Sequence, residues 1–287
     1  MYLILGATGH VGSAVANALL QQGYPVTALL HTADHVRDWQ QRGARTAVVD
    51  VHDVETLRQV FRQGKRLFLL NPPAAPATDT AAEERQSMRA IVAALLDSGL
   101  EKIVAQSTYG AQPGEALGDL GVLYELEQAL RTQPIPHSIL RAAYYMSNWD
   151  FALPTARQQS TVLTFYPPDF QLPMVAPQDL GEVAARLLAE PLAANSLHHV
   201  EGPARYTAAQ VAAAFAAALH QPVQTHEIPK DQWLAALQQQ GFSEKAATSF
   251  AAMTERTLQE DFPAGDAVEC GTVSLQQYIQ ELVSRRA

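Results

Sequence analysis

Tyr2-Leu3-Ile4-Leu5-Gly6-Ala7-Thr8-Gly9-His10-Val11-Gly12 stands at the start of the chain, and the rest is read outward from it. Four apolar residues run into glycines at positions 6, 9 and 12, and the amphipathic stretch Val11–Gln22 follows, closed by Gly23. A short apolar run bounded by a turn signal reads as a buried strand, and a glycine after a helical stretch reads as its C-cap. A glycine turn between a strand and a helix is suited to phosphate. Gly6 permits the tight turn, Gly9 lets the backbone approach a pyrophosphate with no Cβ in the way, and Gly12 lets the helix pack closely on the sheet. The helix N-terminus then presents unpaired N–H groups and a partial positive charge. The loop implies an adenine dinucleotide held by Gly6, Ala7, Thr8, Gly9, His10, Val11 and Gly12.

The pattern repeats downstream. Val26–Leu30, Thr46–Val49, Leu67–Leu70, Ile103–Ala105 and Ser138–Leu140 are further apolar runs. Between them His35–Arg42, Val54–Arg62, Thr80–Ser98 and Val122–Thr132 have helical spacing, with Gly43, Gly64 and Gly99 at their ends. Six strands alternating with five helices predict an α/β fold, a Rossmann doubly wound parallel sheet. After Asp150 the texture changes. Pro154, Pro167, Pro168, Pro173 and Pro177 punctuate a region with two short candidate strands, Thr161–Phe165 and Leu172–Val175. Helices are expected at Asp179–Ala189, from an N-cap at Thr207 to Leu219, and at Asp231–Gln240, Glu244–Gln259 and Leu275–Arg285. The reading is a dinucleotide-binding domain over 1–150 and a smaller, mainly helical C-terminal lobe over 151–287. The helix near 179–189 is expected to pack back on the first domain.

Composition narrows the function. The chain has 287 residues, a formal net charge of −9 and a pI near 5.4, without the basic footprint of a nucleic-acid binder. Cys270 is the single cysteine, so no intramolecular disulfide forms. The start has neither a basic segment nor a long apolar core, and the alanine-rich stretches are broken by polar residues. The expectation is a cytoplasmic protein with no membrane partner. His198-His199 have no Cys or carboxylate at ligand spacing, so no metal is expected and a strand-end pair is the plainer reading.

The end of the second strand bears on cofactor choice. An Asp or Glu there would bind a free ribose 2′-hydroxyl. This chain has Leu30-His31-Thr32 instead, with Asp34 and Arg37 close by. His31, Thr32 and Arg37 are candidate 2′-phosphate contacts, so NADP(H) is favoured while NAD(H) stays open. Asp50 and Val51 end the third strand beside the expected adenine. Asn71 and Pro72 end the fourth, on the ribose and nicotinamide side, and Ser107 ends the fifth.

Together these residues resemble the NmrA-like family of atypical short-chain dehydrogenases/reductases. The resemblance rests on the opening glycine loop, Phe68 to Pro73, Glu125 to Leu130, Ile135 to Arg141, Tyr145 to Asn148, Asp179 to Val183 and Gly202 to Thr207. It implies an NAD(P)-binding protein among NADPH-dependent quinone, azo-dye and triphenylmethane-dye reductases, and also among non-enzymatic NADP-sensing regulators. Family members often carry a basic residue at the end of the second strand, where this chain has His31. Many carry Lys or His shortly before the glutamate matched by Glu127, where this chain has Leu123.

The Tyr-x-x-x-Lys pair of classical short-chain dehydrogenases is missing. Four residues after Tyr109, Tyr124, Tyr144 and Tyr145 stand Pro113, Gln128, Asn148 and Trp149. A tuned general acid contributes about 10²–10⁴-fold, whereas positioning a hydride donor against its acceptor supplies roughly 7–11 kcal/mol. That balance suits a quinone-like or other conjugated acceptor. Tyr109 is the candidate catalytic hydroxyl. Tyr144, Tyr145, Asn148, Trp149 and Phe151 are candidate substrate-lining residues, because flat rings stack on a planar acceptor. Two functions remain: an NAD(P)H-dependent oxidoreductase with a small-molecule acceptor, or a non-catalytic NADP(H)-sensing regulator that binds a protein partner. A homodimer is left open.

Overall fold

A computed structural model of the chain describes residues 1–114, 116–191, 194–260, 263 and 268–285. Its first half alternates as the sequence implies. The strands are β1 (Tyr2–Leu5), β2 (Val26–Leu30), β3 (Arg45–Val48), β4 (Arg66–Leu69), β5 (Lys102–Thr108) and β6 (His137–Ala142). The helices between them are α1 (His10–Gln21), α2 (Val36–Gln41), α3 (Val54–Phe61), α4 (Thr80–Ala94) and α5 (Gly118–Arg131). After β6 come β7 (Tyr144–Tyr145), α6 (Leu153–Gln159), β8 (Thr161–Thr164), β9 (Leu172–Val175), α7 (Pro177–Ala189) and β10 (Ser196–Glu201). The chain ends with β11 (Arg205–Tyr206), α8 (Ala208–Leu219), β12 (Gln224–Glu227), α9 (Trp233–Gln239), α10 (Glu244–Leu258), β13 (Val268–Cys270) and α11 (Leu275–Arg285).

The main sheet runs β13-β10-β6-β5-β4-β1-β2-β3 and is parallel throughout. It is a doubly wound Rossmann-type sheet that reverses direction between β1 and β4. The strand count differs from expectation, eight rather than six. β10 and β13 come from beyond Asp150 and extend the sheet past β6. Their sequences, Ser-Leu-His-His-Val-Glu and Val-Glu-Cys, carry too few apolar residues to signal strands, since β13 is the edge of the sheet and β10 beside it is only partly covered over Ser196 to His199. His198 and His199 therefore lie inside a strand rather than at its end. His198 Nε2 meets Ser196 Oγ at 2.9 Å, and His199 packs edge-on against Tyr109.

Both faces of the central strands are covered, which is why they read as unbroken apolar runs. Ile4 faces a core with Val15 and Leu19 of α1 and Leu180 and Ala184 of α7. Leu3 and Leu5 face the opposite core, with Leu57, Phe61, Ile91 and Leu126. A third core, under α8 and α11, gathers Met146, Trp149, Phe215, Tyr278 and Ile279. The Thr207 N-cap is present as a full capping box with Gln210.

Two close contacts tie the halves together. α7 crosses α1 so tightly that a Cβ on Gly181 would stand 2.7 Å from the backbone carbon of Ala14. At the start of α7 the buried Asp179 carboxylate accepts the N–H groups of Thr272 at 3.0 Å and Val273 at 3.1 Å. A side chain on Gly271 would collide with that carboxylate. Asp179 thus fixes the link between β13 and α11 to the helix that packs on α1.

Overpacking a well-filled contact costs about 1–3 kcal/mol. Gly181→Ala should therefore lower stability by about that amount, read as a reduced urea midpoint at unchanged m-value. An unchanged midpoint would mean that α1 and α7 are further apart than described.

Candidate active site: a cleft at the switch point of the sheet

Ligands of open α/β sheets bind beyond the strand C-termini where the winding reverses. Here that point lies past β1 and β4. Gly6 turns with φ +75°, a conformation that disfavours a side chain, and its carbonyl accepts the N–H of Gly9 at 3.0 Å. A Cβ on Gly12 would collide with the same carbonyl oxygen. Gly12 thus keeps α1 against its own loop, a more local task than packing on the sheet. Above Gly9 there is room: a Cβ there meets only the Gly6 oxygen, at 3.5 Å. Thr8, Gly9 and His10 are exposed, while Ala7, Val11 and Gly12 lie beneath them.

The remaining candidate cofactor residues divide. His31, Thr32 and Arg37 are exposed around the end of β2, and the Thr32 hydroxyl donates to Asp34 Oδ2 at 3.0 Å. Asp50 is exposed at the end of β3 and accepts the His52 N–H. Val51 and Pro72 are partly covered at the ends of the third and fourth strands. Asn71 donates its amide to the Glu84 backbone carbonyl at 3.0 Å, and its Oδ1 has no hydrogen-bond partner among the described residues. Ser107 is turned away from this task. It is buried, and its hydroxyl donates to Glu127 Oε1 at 2.6 Å.

Glu127 also takes a two-pronged pair from Arg141, Nε to Oε1 at 2.8 Å and NH2 to Oε2 at 2.7 Å. Arg141 NH2 reaches the Ala111 carbonyl as well. This buried set joins β5, β6 and α5 under the floor of the site. Truncating one partner of such a pair strands a charge and costs about 3–5 kcal/mol.

Beside the glycine loop opens a cleft of about 530 Å³. His10, Val11, Leu70 and Asn71 line its side toward the glycine loop. Tyr144, Tyr145, Asn148 and Phe151 line it as the sequence suggests. Trp149 does not. It is 5% exposed in the third core, with its ring 6.0 Å from that of Tyr144. The short 3-10 stretch that follows β7 rotates it inward while Phe151 stays out. Sequence reading missed Tyr166, and it missed Phe250, Met253 and Thr257, which share one face of α10 at helical spacing. It also missed Gln106, Glu84 and Asp119. Nothing in the sequence marks those three, because only the packing of α4 and α5 against β5 brings them together.

The tyrosines are not activated. Tyr109 lines the cleft, but its hydroxyl donates to Glu201 Oε1 at 3.3 Å; burial first, and then the Glu201 carboxylate, push its pKa well up. Burial lifts Tyr144 to about 12. Burial, and next the Asp119 charge, lift Tyr145 as well. The acidic group that moves into reach is Glu84. It is 6% exposed, and burial, then its hydrogen bond with Asp119 and that residue's charge, raise it to about 9 against the Ala74 N–H that pulls the other way. Among the described residues no cluster suited to a metal ion occurs, and no helix is long and apolar enough to cross a membrane.

Comparisons with known proteins agree with this geometry. The family model described as NmrA-like matches residues 2–277. A protein named NAD(P)H azoreductase, from Xenophilus azovorans, is 26% identical over 86% of this chain and 84% of its own. The structure of triphenylmethane reductase from Citrobacter sp. superposes with a TM-score of 0.81 at 18% identity, covering 99% of each chain. That of an NADPH-dependent quinone oxidoreductase from Escherichia coli, in complex with NADPH, gives 0.79 at 20% identity, covering 98% of this chain and 99% of that one. At these identities the two structures are likenesses of fold.

Glu84 holds its proton more tightly folded than unfolded. Its contribution to stability is therefore complete below about pH 4.5 and is lost as the pH rises toward about 9. The stability of the wild type minus that of Glu84→Gln, measured in urea, should fall across this window by at most ~1.4 kcal/mol per pH unit. A difference that stays flat with pH would show that Glu84 ionises as a surface carboxylate does.

Proposed function

The chain belongs to the NmrA-like family, and from that premise we propose that it is an NAD(P)H-dependent reductase, with NADP(H) preferred, acting on a planar conjugated acceptor. The observation that carries this reading is the aromatic cleft that opens directly beside the glycine loop.

The residues present fit the cofactor. Thr8, Gly9 and His10 at the N-terminus of α1 would hold the pyrophosphate. His31, Thr32 and Arg37 would meet the 2′-phosphate. Asp50 and Val51 would flank the adenine, and Asn71 and Pro72 the nicotinamide side. Two buried carbonyl oxygens that line the cleft, Asn71 Oδ1 and Gln106 Oε1, lack partners among the described residues. An unpaired buried acceptor costs about 1–3 kcal/mol, and a carboxamide N–H relieves it. The bound cofactor would supply the hydride. The names of the azoreductase and of the quinone oxidoreductase support the same cofactor class and acceptors of this shape.

The chain's own residues position the acceptor and exclude water. Tyr144 and Tyr166 meet edge to face with ring centroids 5.7 Å apart, and Phe250 and Met253 of α10 line the same cleft. Such a wall stacks a flat acceptor and offers little to a small ketone. The tyrosine hydroxyls there are all held above their ordinary acidity range, so none is the activated donor that a simple carbonyl requires.

The decisive measurement is NADPH consumption with quinones, azo dyes and triarylmethane dyes against simple ketones. Conjugated acceptors should be reduced faster. If NADPH binds and no acceptor is reduced, the reductase reading fails, and a dinucleotide-sensing regulator becomes the reading to test through a partner that responds to the NADPH to NADP⁺ ratio. Gly9→Val should abolish NADPH binding with an unchanged unfolding midpoint, because the added side chain fills open space rather than protein. Retained binding in a fluorescence titration would remove the loop assignment. Calorimetry should show NADPH bound more tightly than NADH, and His31→Asp should reverse that order; equal affinities in the wild type would leave His31 without a role in phosphate binding.

A further inference from the structure

The same cleft contains two carboxyl groups that the reading above does not use. Glu84, on α4, accepts the Ala74 N–H at 3.0 Å through Oε1, and Asp119 on α5 lines the same cleft and is close enough for its charge to act on Glu84. A carboxyl so buried, with one backbone N–H to accept and a second carboxylate beside it, favours its protonated form. Glu84 is the buried member, and Asp119 is exposed and open to the cleft. Among the described residues, Arg85 is paired with Glu125, Lys245 with Asp79, and Arg256, which lines the same cleft, with Glu260, while Glu83 adds a further negative charge. From β7, Tyr145 lines the same cleft and lies within reach of the Asp119 charge. A separate observation marks the spot as a ligand site. Gln106 is 4% exposed, lines the cleft, and leaves Oε1 without a partner among the described residues.

We propose that the Glu84–Asp119 pair is the proton donor of the cleft, delivering the proton that a quinone or azo acceptor needs as it is reduced. This rests on the reductase reading. The balance is simple. The acceptor takes two electrons and one hydrogen from the reduced nicotinamide dinucleotide. It then needs one proton on oxygen or nitrogen. The O–H bond of the pair breaks, an O–H or N–H bond forms on the acceptor, and the pair is left with two negative charges. Their repulsion draws a proton back from solvent through exposed Asp119. With its pKa raised to about 9, Glu84 stays protonated through the neutral range. It also lies about one unit from a phenol's roughly 10, so the transfer is nearly level. Glu84 is the catalytic residue of the pair, and Asp119 positions and recharges it.

A cationic triarylmethane dye provides the internal contrast, because hydride alone neutralises it and no proton is required. Menadione and malachite green are therefore compared as acceptors, with NADPH, in wild type and Glu84→Gln. The variant should lower kcat for menadione by about 10²-fold, at least tenfold more than for malachite green, with NADPH affinity retained. The wild-type menadione rate should decline as the pH passes about 9, and that limb should vanish in the variant. Asp119→Asn removes the neighbouring charge and should move the limb to lower pH; it carries the test if Glu84→Gln fails to fold. Infrared difference spectra between wild type and Glu84→Gln, recorded without cofactor, should show the carbonyl stretch of a protonated carboxylic acid at neutral pH. Equal losses on both acceptors, no loss on menadione, an unmoved limb in Asp119→Asn, or no protonated-acid band would each overturn the proposal while the reductase reading stands. A wild type that binds NADPH, shows the band and reduces neither acceptor overturns the reductase reading, and the proposal with it.

Discussion

The carbonyl oxygen of Gly6 occupies the space where any side chain on residue 12 would stand, and the arrangement of the molecule follows from that contact. It brings the first turn of α1 down on the end of β1, so the helix N-terminus and its unpaired N–H groups face the switch point. With α1 fixed there, its small residues present a surface that α7 can approach as closely as Gly181 on Ala14 allows. The N-terminus of α7 in turn holds Asp179, and Asp179 holds the backbone of Thr272 and Val273. A glycine in the loop after β1 is thus linked, through two helices and one carboxylate, to β13 and α11.

The floor of the cleft is built on a different principle. Ser107, Glu127 and Arg141 come from β5, α5 and β6, and each is satisfied by the others or by the Ala111 carbonyl. A buried ion pair adds little stability compared with apolar residues of the same shape, but it tolerates few arrangements, because a misplaced charge is left unpaired. Its role here is registration. It sets α5 against the strand ends, and α5 is the helix that carries Asp119 and Leu123 into the cleft.

Much of this was legible in the sequence because the central sheet is buried on both faces. β1 and β2 were read to the residue, as were β9 and the helix capped by Thr207, since apolar runs and turn residues there have one physical meaning. β13, at the edge, and β10 beside it escaped because polar residues serve a half-covered strand as well as apolar ones. Trp149 was misplaced for a related reason. Aromatic character says that a ring is buried against something, not which side of a 3-10 turn it leaves from. Ser107 was read as a cofactor contact from its place at a strand end, but α5 supplies it with a nearer partner. Glu84, Gln106 and Asp119 lie on three elements far apart in the chain, and no spacing rule reports such a meeting.

One property of the cleft underlies both the acceptor and the proton donor proposed above. Its wall of Tyr144, Tyr145, Tyr166 and Phe250 takes the tyrosine hydroxyls out of water, and the same rings suit the proposed flat, conjugated acceptor. The same loss of water penalises every charged form within it. For a tyrosine, that penalty raises the pKa away from neutrality and removes it as an activated donor. For a carboxyl, the same penalty acts in the useful direction. It carries Glu84 from a group that is ionised at neutral pH to one that keeps its proton, and Asp119 adds to the effect because two adjacent carboxylates resist sharing a site. On the proposed reading an apolar cleft dispenses with a tyrosine–lysine pair in a specific way: the burial that disables the phenols is the condition under which an ordinary glutamate becomes an acid.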